Sequence, residues 1–230
     1  MSLKKTWDLH AKEDAMKRYS YNPNMADIVK SKEFHTQWML KISRTKKSAK
    51  FLDAGCGIGH FVTLARFLGF KAEGIDISEE AVKIGKSRGE KITLGDLRKM
   101  PFKSGTWDIV LAEGSIEHFP ETERAIREIA RVLKKKGIFI GNVPNRFSIF
   151  VVSKLIQQML GAWKCGYEKS FTKKRLVYLL KKNGFRIIEM KKSRVAIGKH
   201  PFFSKPLRAI DDFLNIFGLG GPHHYFYCIK

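Results

Sequence analysis

Asp53, Gly55, Gly57 and Gly59 fall in a nine-residue stretch, 51–59, where an apolar run meets alternating glycines. Glycine serves where the backbone must take positive φ or lie against a ligand. A buried strand, a glycine turn and a helix N-terminus together form a nucleotide-binding corner of an α/β sheet. The spacing is not the dinucleotide fingerprint G-x-G-x-x-G, because His60 stands where its third glycine would fall. Cys56 lies inside the loop and reads as a small side chain in a tight space, not as a nucleophile. Asp76 ends a second apolar segment, about two dozen residues beyond Asp53. A carboxylate there can accept from both hydroxyls of a ribose, and Ile77 would pack on one face of an adenine. Farther on, Asp96 could accept from an adenine amino group while Leu97 offers a backbone N–H. Glu113 and Ser115 follow a third apolar run, at the end where a ligand's far moiety would lie. His118 titrates near neutrality when unperturbed, so it reads either as a general base or as a residue that orients its turn.

The elements that must position these groups alternate. Strands are predicted over 50–53, 72–77, 92–94, 107–112 and 137–143. Helices are predicted over 60–68, 79–87 and 121–133, the second capped by Ser78 with acids in its first turn. Lys134 to Gly137 would end the third, with cations at its negative pole and glycine beyond. Alternation of this kind implies a mostly parallel sheet covered on both faces. Ligands then sit at the carboxyl ends of the strands, near the point where strand order reverses. Residues 1–48 read as polar and helical, broken at 20–24. After residue 144 come an apolar helical segment over 145–163, a basic helix over 172–183 and strands over 186–190 and 225–229.

At 230 residues a single domain is expected over 1–230. It would carry an N-terminal helical cap at about 1–48 and a lid-like insert at about 145–170. Three isolated cysteines, with no C-x-x-C pair, argue against a zinc site or a disulfide framework, so no metal is expected. A cytoplasmic setting follows from reduced thiols and from an N-terminal stretch too polar for a secretory signal. The net charge is +22, from 44 Lys and Arg against 22 Asp and Glu. That favours anionic partners such as nucleic acid, anionic lipid or phosphorylated molecules, unless the cations only solvate the surface.

The pattern D-x-G-x-G-x-G at Asp53 to Gly59 resembles motif I of the class I S-adenosylmethionine-dependent methyltransferases. Gly95-Asp96 with Pro101-Phe102 resembles a later element of the same family. So do Trp107-Asp108-Ile109-Val110 leading to Ile116-Glu117-His118, and Asn142-Val143-Pro144-Asn145. The resemblance covers about residues 15–190. It is strongest to the small-molecule, quinone-biosynthesis-like branch known as type 11. It implies a Rossmann-like sheet of seven strands, mostly parallel with the last antiparallel, and helices on both faces. It implies S-adenosylmethionine as cofactor, with S-adenosylhomocysteine as product. Tyr19 is similar to an N-terminal tyrosine that closes over the cofactor in the family. Cofactor contacts are thus implied for Tyr19, Asp53, Gly55, Cys56, Gly57, Asp76, Ile77, Asp96, Leu97 and Glu113. Tyr167 stands where many members carry histidine, which leaves His118 and Tyr167 as candidate catalytic residues. The implied activity is methyl transfer to a small-molecule acceptor, of hydrophobic or lipid-like character. Two alternatives stay open: an RNA or protein methyltransferase using the basic surface, and a non-catalytic cofactor-binding protein. Peripheral membrane contact is compatible with the apolar insert and its flanking cations, and the oligomeric state is left open.

Overall fold

The computed structural model describes residues 3–17, 25, 30, 31, 33–192, 213 and 220–230. Two helices come first, α1 (Leu3–Lys17) and α2 (Phe34–Ser43). The sheet then begins with β1 (Lys50–Ala54), α3 (His60–Phe67), β2 (Lys71–Asp76), α4 (Glu79–Ser87) and β3 (Ile92–Leu94). It continues with β4 (Trp107–Ala112), a one-turn 3-10 helix (Ile116–His118), α5 (Thr122–Val132) and β5 (Leu133–Pro144). Then follow α6 (Ile149–Met159), α7 (Lys173–Lys182), β6 (Arg186–Lys192) and β7 (His223–Ile229). The seven strands lie in the order β3-β2-β1-β4-β5-β7-β6. Those from β3 to β5 are mutually parallel, and β7 runs antiparallel to both β5 and β6.

Period-two burial sorts the strand residues into two cores. Leu52, Val110, Phe139 and Phe226 face one way, against Ile126 and Ile129 of α5 and Leu176 and Leu180 of α7. Phe51, Ile109, Leu111 and Ile140 face the other way, against Met39 and Ile42 of α2 and Val62 and Leu64 of α3. Both faces of β1 and β4 are therefore covered, which is why these strands read as largely apolar runs, broken only by Lys50, Asp53 and Asp108. Strand order reverses between β1 and β4, so a crevice opens at their carboxyl ends.

Local signals set several boundaries. The Ser78 hydroxyl accepts from Ala81 N, and that of Thr172 accepts from Arg175 N, capping α4 and α7. The expected stop of α5 at Lys134 to Gly137 is corrected. The helix ends at Val132, and Leu133 is already extended (φ −71°, ψ 139°). Lys134 to Lys136 instead belong to an irregular start of β5, where pairing jumps from Trp107↔Leu133 to Ile109↔Ile138. Lys134 is drawn there by Asp108, 2.8 Å away. The expected break at 20–24 lies outside the described residues.

Gly141, in the centre of β5, has no room for a side chain. A Cβ would sit 2.6 Å from Phe226 Cζ and 2.8 Å from Ala112 O. Gly141→Ala is expected to destabilise the fold by about 1–3 kcal/mol through overpacking. Urea unfolding measures this, and an unchanged midpoint would show that β7 yields at no cost.

Candidate active site

β1 delivers Asp53 to the crevice and hands the chain to the glycine turn. Gly55 (φ +85°) passes so close to the β4 side that a Cβ would lie 2.5 Å from Ser115 Cβ. Gly57 (φ +52°) faces open space, and its N–H donates to Asp76 Oδ2 at 2.7 Å. The other Asp76 oxygen accepts from Ser78 N at 2.9 Å. One carboxylate at the end of β2 thus ties the glycine turn to the first turn of α4. Below the turn, Cys56 fills the space left by Gly74, where a Cβ would lie 2.4 Å from its sulfur. Burial pushes the Cys56 thiol pKa well up, which keeps it protonated and inert.

These elements enclose a cavity of about 240 Å³. Asp53, Gly55, Cys56, Gly57, Asp76, Ile77, Leu97, Glu113 and His118 all line it. Among the described residues that line it there is no lysine or arginine. Three carboxylates, Asp53, Asp76 and Glu113, therefore share a crevice whose described lining holds no lysine or arginine, in a chain of net charge +22. Asp53 is buried and its Oδ2 has no hydrogen-bond partner. Burial drives its pKa well above the usual carboxylate range, and the charges of Glu113 and Asp76 push it further. Burial also raises the Asp76 pKa, against the pull of its bonds to the Ser78 and Gly57 N–H groups. Such a site suits a ligand that brings a positive charge of its own.

His118 lies on the opposite wall. Its ring packs edge-on against Trp7, with centroids 4.7 Å apart, and its Nδ1 is 2.9 Å from the Tyr167 carbonyl. A carbonyl can only accept, so Nδ1 carries the proton and Nε2 is left as the acceptor. Burial lowers the His118 pKa to about 4, outweighing the Tyr167 carbonyl, which raises it. The imidazole is therefore neutral at pH 7, with Nε2 as its acceptor atom.

Two expected residues are not brought to the cavity. Asp96 turns to Arg98, which holds both carboxylate oxygens from Nε at 3.1 Å and one from Nη2 at 2.7 Å. The Tyr167 side chain is half exposed, and only its backbone carbonyl takes part, through His118. Tyr19 lies outside the described residues. Residues not foreseen also line the cavity, among them Trp7, His10 and Ala11 of α1 and Phe61 of α3. Their i, i+3, i+4 spacing marks one face of α1, a signal that was readable but had no stated partner. α1 is held there by Asp8, which accepts from the Ser78 hydroxyl at 2.6 Å and from Glu80 N at 3.2 Å.

Comparison with known proteins finds likenesses over part of the sequence and over the fold. Residues 52–141 match the family described as a methyltransferase domain. Norajmaline N-methyltransferase of Rauvolfia serpentina is 41% identical over 97 residues, covering 38% of this chain and 33% of that protein. A sterol 4-C-methyltransferase of Caenorhabditis elegans is 32% identical over 124 residues, covering 50% of this chain and 36% of that protein. The chain thus spans only about a third of the length of these relatives. The crystal structure of a SAM-dependent methyltransferase from Thermotoga maritima superposes with a TM-score of 0.64 over the whole of both chains. At 20% identity that likeness is one of fold.

The raised Asp53 pKa has a consequence for stability. A carboxyl whose pKa is higher folded than unfolded stabilises the fold fully below the ordinary carboxylate pKa of about 4. That contribution is lost as pH rises through the folded value. Asp53→Asn removes the loss. Without ligand, the variant is expected to melt at a higher temperature than the parent at neutral pH, with the gap closing toward about pH 4. Melting curves across that range test it, and a gap that did not depend on pH would remove the electrostatic cause.

Proposed function

We propose, on the premise that this chain belongs to the class I S-adenosylmethionine-dependent methyltransferases, type 11 branch, that it methylates a small apolar acceptor. The observation that carries the cofactor reading is the cluster of Asp53, Asp76 and Glu113 around the glycine turn, with Asp53 Oδ2 buried and unpartnered. S-adenosylmethionine supplies, when bound, a methyl group on a positively charged sulfur and an ammonium beside it, which suits that cluster. Asp76 is the ribose acceptor, since its two oxygens offer about four acceptor positions and the Gly57, Ile77 and Ser78 backbone donors do not fill them all. Ile77 and Leu97 flank the base, and Gly57 leaves its side of the cavity open. Asp53 and Glu113 face the cationic end, where an incoming positive charge relieves their repulsion.

The remaining work of the protein is positioning and the exclusion of water. Orientation of this kind can contribute roughly 7–11 kcal/mol to a displacement. Trp7, Phe61 and Phe119 give the acceptor side an apolar wall. Where the acceptor must lose a proton, the Nε2 atom of His118 accepts it, and the Tyr167 carbonyl holds the ring in the required tautomer. The apolar wall and the alkaloid and sterol methyltransferases among the relatives support a small hydrophobic acceptor.

Calorimetric titration with S-adenosylmethionine and with S-adenosylhomocysteine tests the cofactor reading. Micromolar binding of both is expected, and Asp76→Ala should abolish it; unchanged affinity in that variant would reject the ribose assignment. Once lipid-like and quinol-like molecules have been screened for an acceptor, His118→Asn should lose roughly a hundredfold or more in turnover while keeping cofactor affinity. Tyr167→Phe should retain activity, because only the Tyr167 backbone is used. Full activity in His118→Asn, or a large loss in Tyr167→Phe, would reverse those roles.

A further inference from the structure

α6 is built inside out. Lys154 is the buried side chain at its centre, 8% exposed, and pairs with the equally buried Glu168 at 3.1 Å. It also donates to the Glu168 backbone carbonyl. Phe150 and Val151 are half-buried, Phe150 against Trp163 and His223, but five other apolar residues point to solvent: Val152, Leu155, Ile156, Met159 and Leu160 are each more than half exposed, Met159 at 87%. A surface helix of a soluble fold shows the reverse arrangement. Contiguous exposed apolar side chains mark a surface that something else covers.

The charges around this face indicate what covers it. Residues 146–182 contain nine lysines and arginines and a single acid, Glu168, which is buried against Lys154. Exposed Arg146 precedes the helix and exposed Lys164 follows it. Arg146 N donates to Phe171 O at 2.9 Å, which sets the start of α7, with exposed Lys173 and Lys174, beside the start of α6. An apolar strip framed by cations, with no exposed acid, complements an anionic lipid surface. At 11 residues the helix is about 16 Å long, against a hydrocarbon core of about 30 Å. No helix among the described residues is long and apolar enough to cross a membrane. The helix can therefore lie in a membrane interface but cannot span it.

We propose that the exposed face of α6 docks this protein on the surface of an anionic bilayer. The segment after α6 ties that face to the cavity. The Lys164 carbonyl lies 3.3 Å from His10 Nε2, and the Tyr167 carbonyl holds His118. Docking brings the acceptor side of the cavity to the lipid, so an apolar acceptor dissolved in the bilayer reaches it without crossing water. The docking itself does not depend on the methyltransferase reading.

The test is flotation of the full chain with vesicles of phosphatidylcholine alone or mixed with phosphatidylserine, at low and high salt. Partitioning should be roughly tenfold or more stronger onto the anionic vesicles and should weaken with salt. The combined variant Ile156→Ser, Met159→Ser, Leu160→Ser should lose roughly tenfold or more, with cofactor affinity unchanged. Lys173→Glu with Lys174→Glu alters a separate element and should also lose binding if the triple variant proves unstable. Absence of binding to anionic vesicles would overturn the proposal. So would a triple variant that folds and binds as well as the parent, which would assign binding to surface charge alone. Sedimentation velocity supplies the last arm: a dimer that dissolves in the triple variant would assign the face to a second copy. Cofactor titration of the same samples keeps failure of the docking distinct from failure of the cofactor reading.

Discussion

Carboxylates held together and turned away from water are the constraint on which the site depends. β1 and β2 pair in parallel with Asp53 opposite Gly74, which brings Asp53 and Asp76 to the same end of the sheet. β4 delivers Glu113 to that end as well. Mutual repulsion and desolvation both oppose ionisation there, and the orphaned Asp53 oxygen shows that the fold does not resolve the cost internally. A ligand with positive charge resolves it, so the site carries its selectivity in advance of binding. Asp76 performs a second task by joining the glycine turn to α4, while Ser78 extends the same network to Asp8 of α1. Cofactor corner and helical cap are therefore one hydrogen-bonded unit.

The opposite wall is arranged by backbone as much as by side chain. His118 is kept neutral by burial and oriented by the carbonyl of Tyr167, on a segment that α6 anchors through the Lys154–Glu168 pair. A buried ion pair contributes little net stability, because desolvation offsets most of its attraction. It does specify geometry here, since Glu168 directly follows the residue that holds His118. Lys154 shares the inner face of α6 with Phe150, while Val152, Leu155, Ile156 and Met159 face outward.

The parts that could be read in advance share a short range of interaction. Asp53, the glycines and Asp76 were readable because a strand, a turn and a helix cap are each defined within a few residues. Asp96 was misplaced because a guanidinium two residues on captures its oxygens, and the choice between Arg98 and the cavity is a contest of conformations. The Tyr167 carbonyl contact with His118 was not legible, because residue type does not reveal whether a loop residue meets its neighbour through its ring or its backbone. Trp7 and His10 were passed over although they share a helix face, because their contact with the His118 region spans more than a hundred residues of chain. The end of α5 was placed too late because Asp108, on another strand, draws Lys134 into β5.

By itself the sequence determined the order of strands and helices, the nucleotide corner and its acids, because periodicity and turn chemistry act locally. Only the tertiary structure decided where the charges stand. In a chain with 44 lysines and arginines, the described lining of the cavity holds none. The fold buried one lysine under α6 and turned Val152, Leu155, Ile156 and Met159 of that helix to the outside. Which way a side chain faces depends on partners far along the chain, and composition and spacing do not encode that choice.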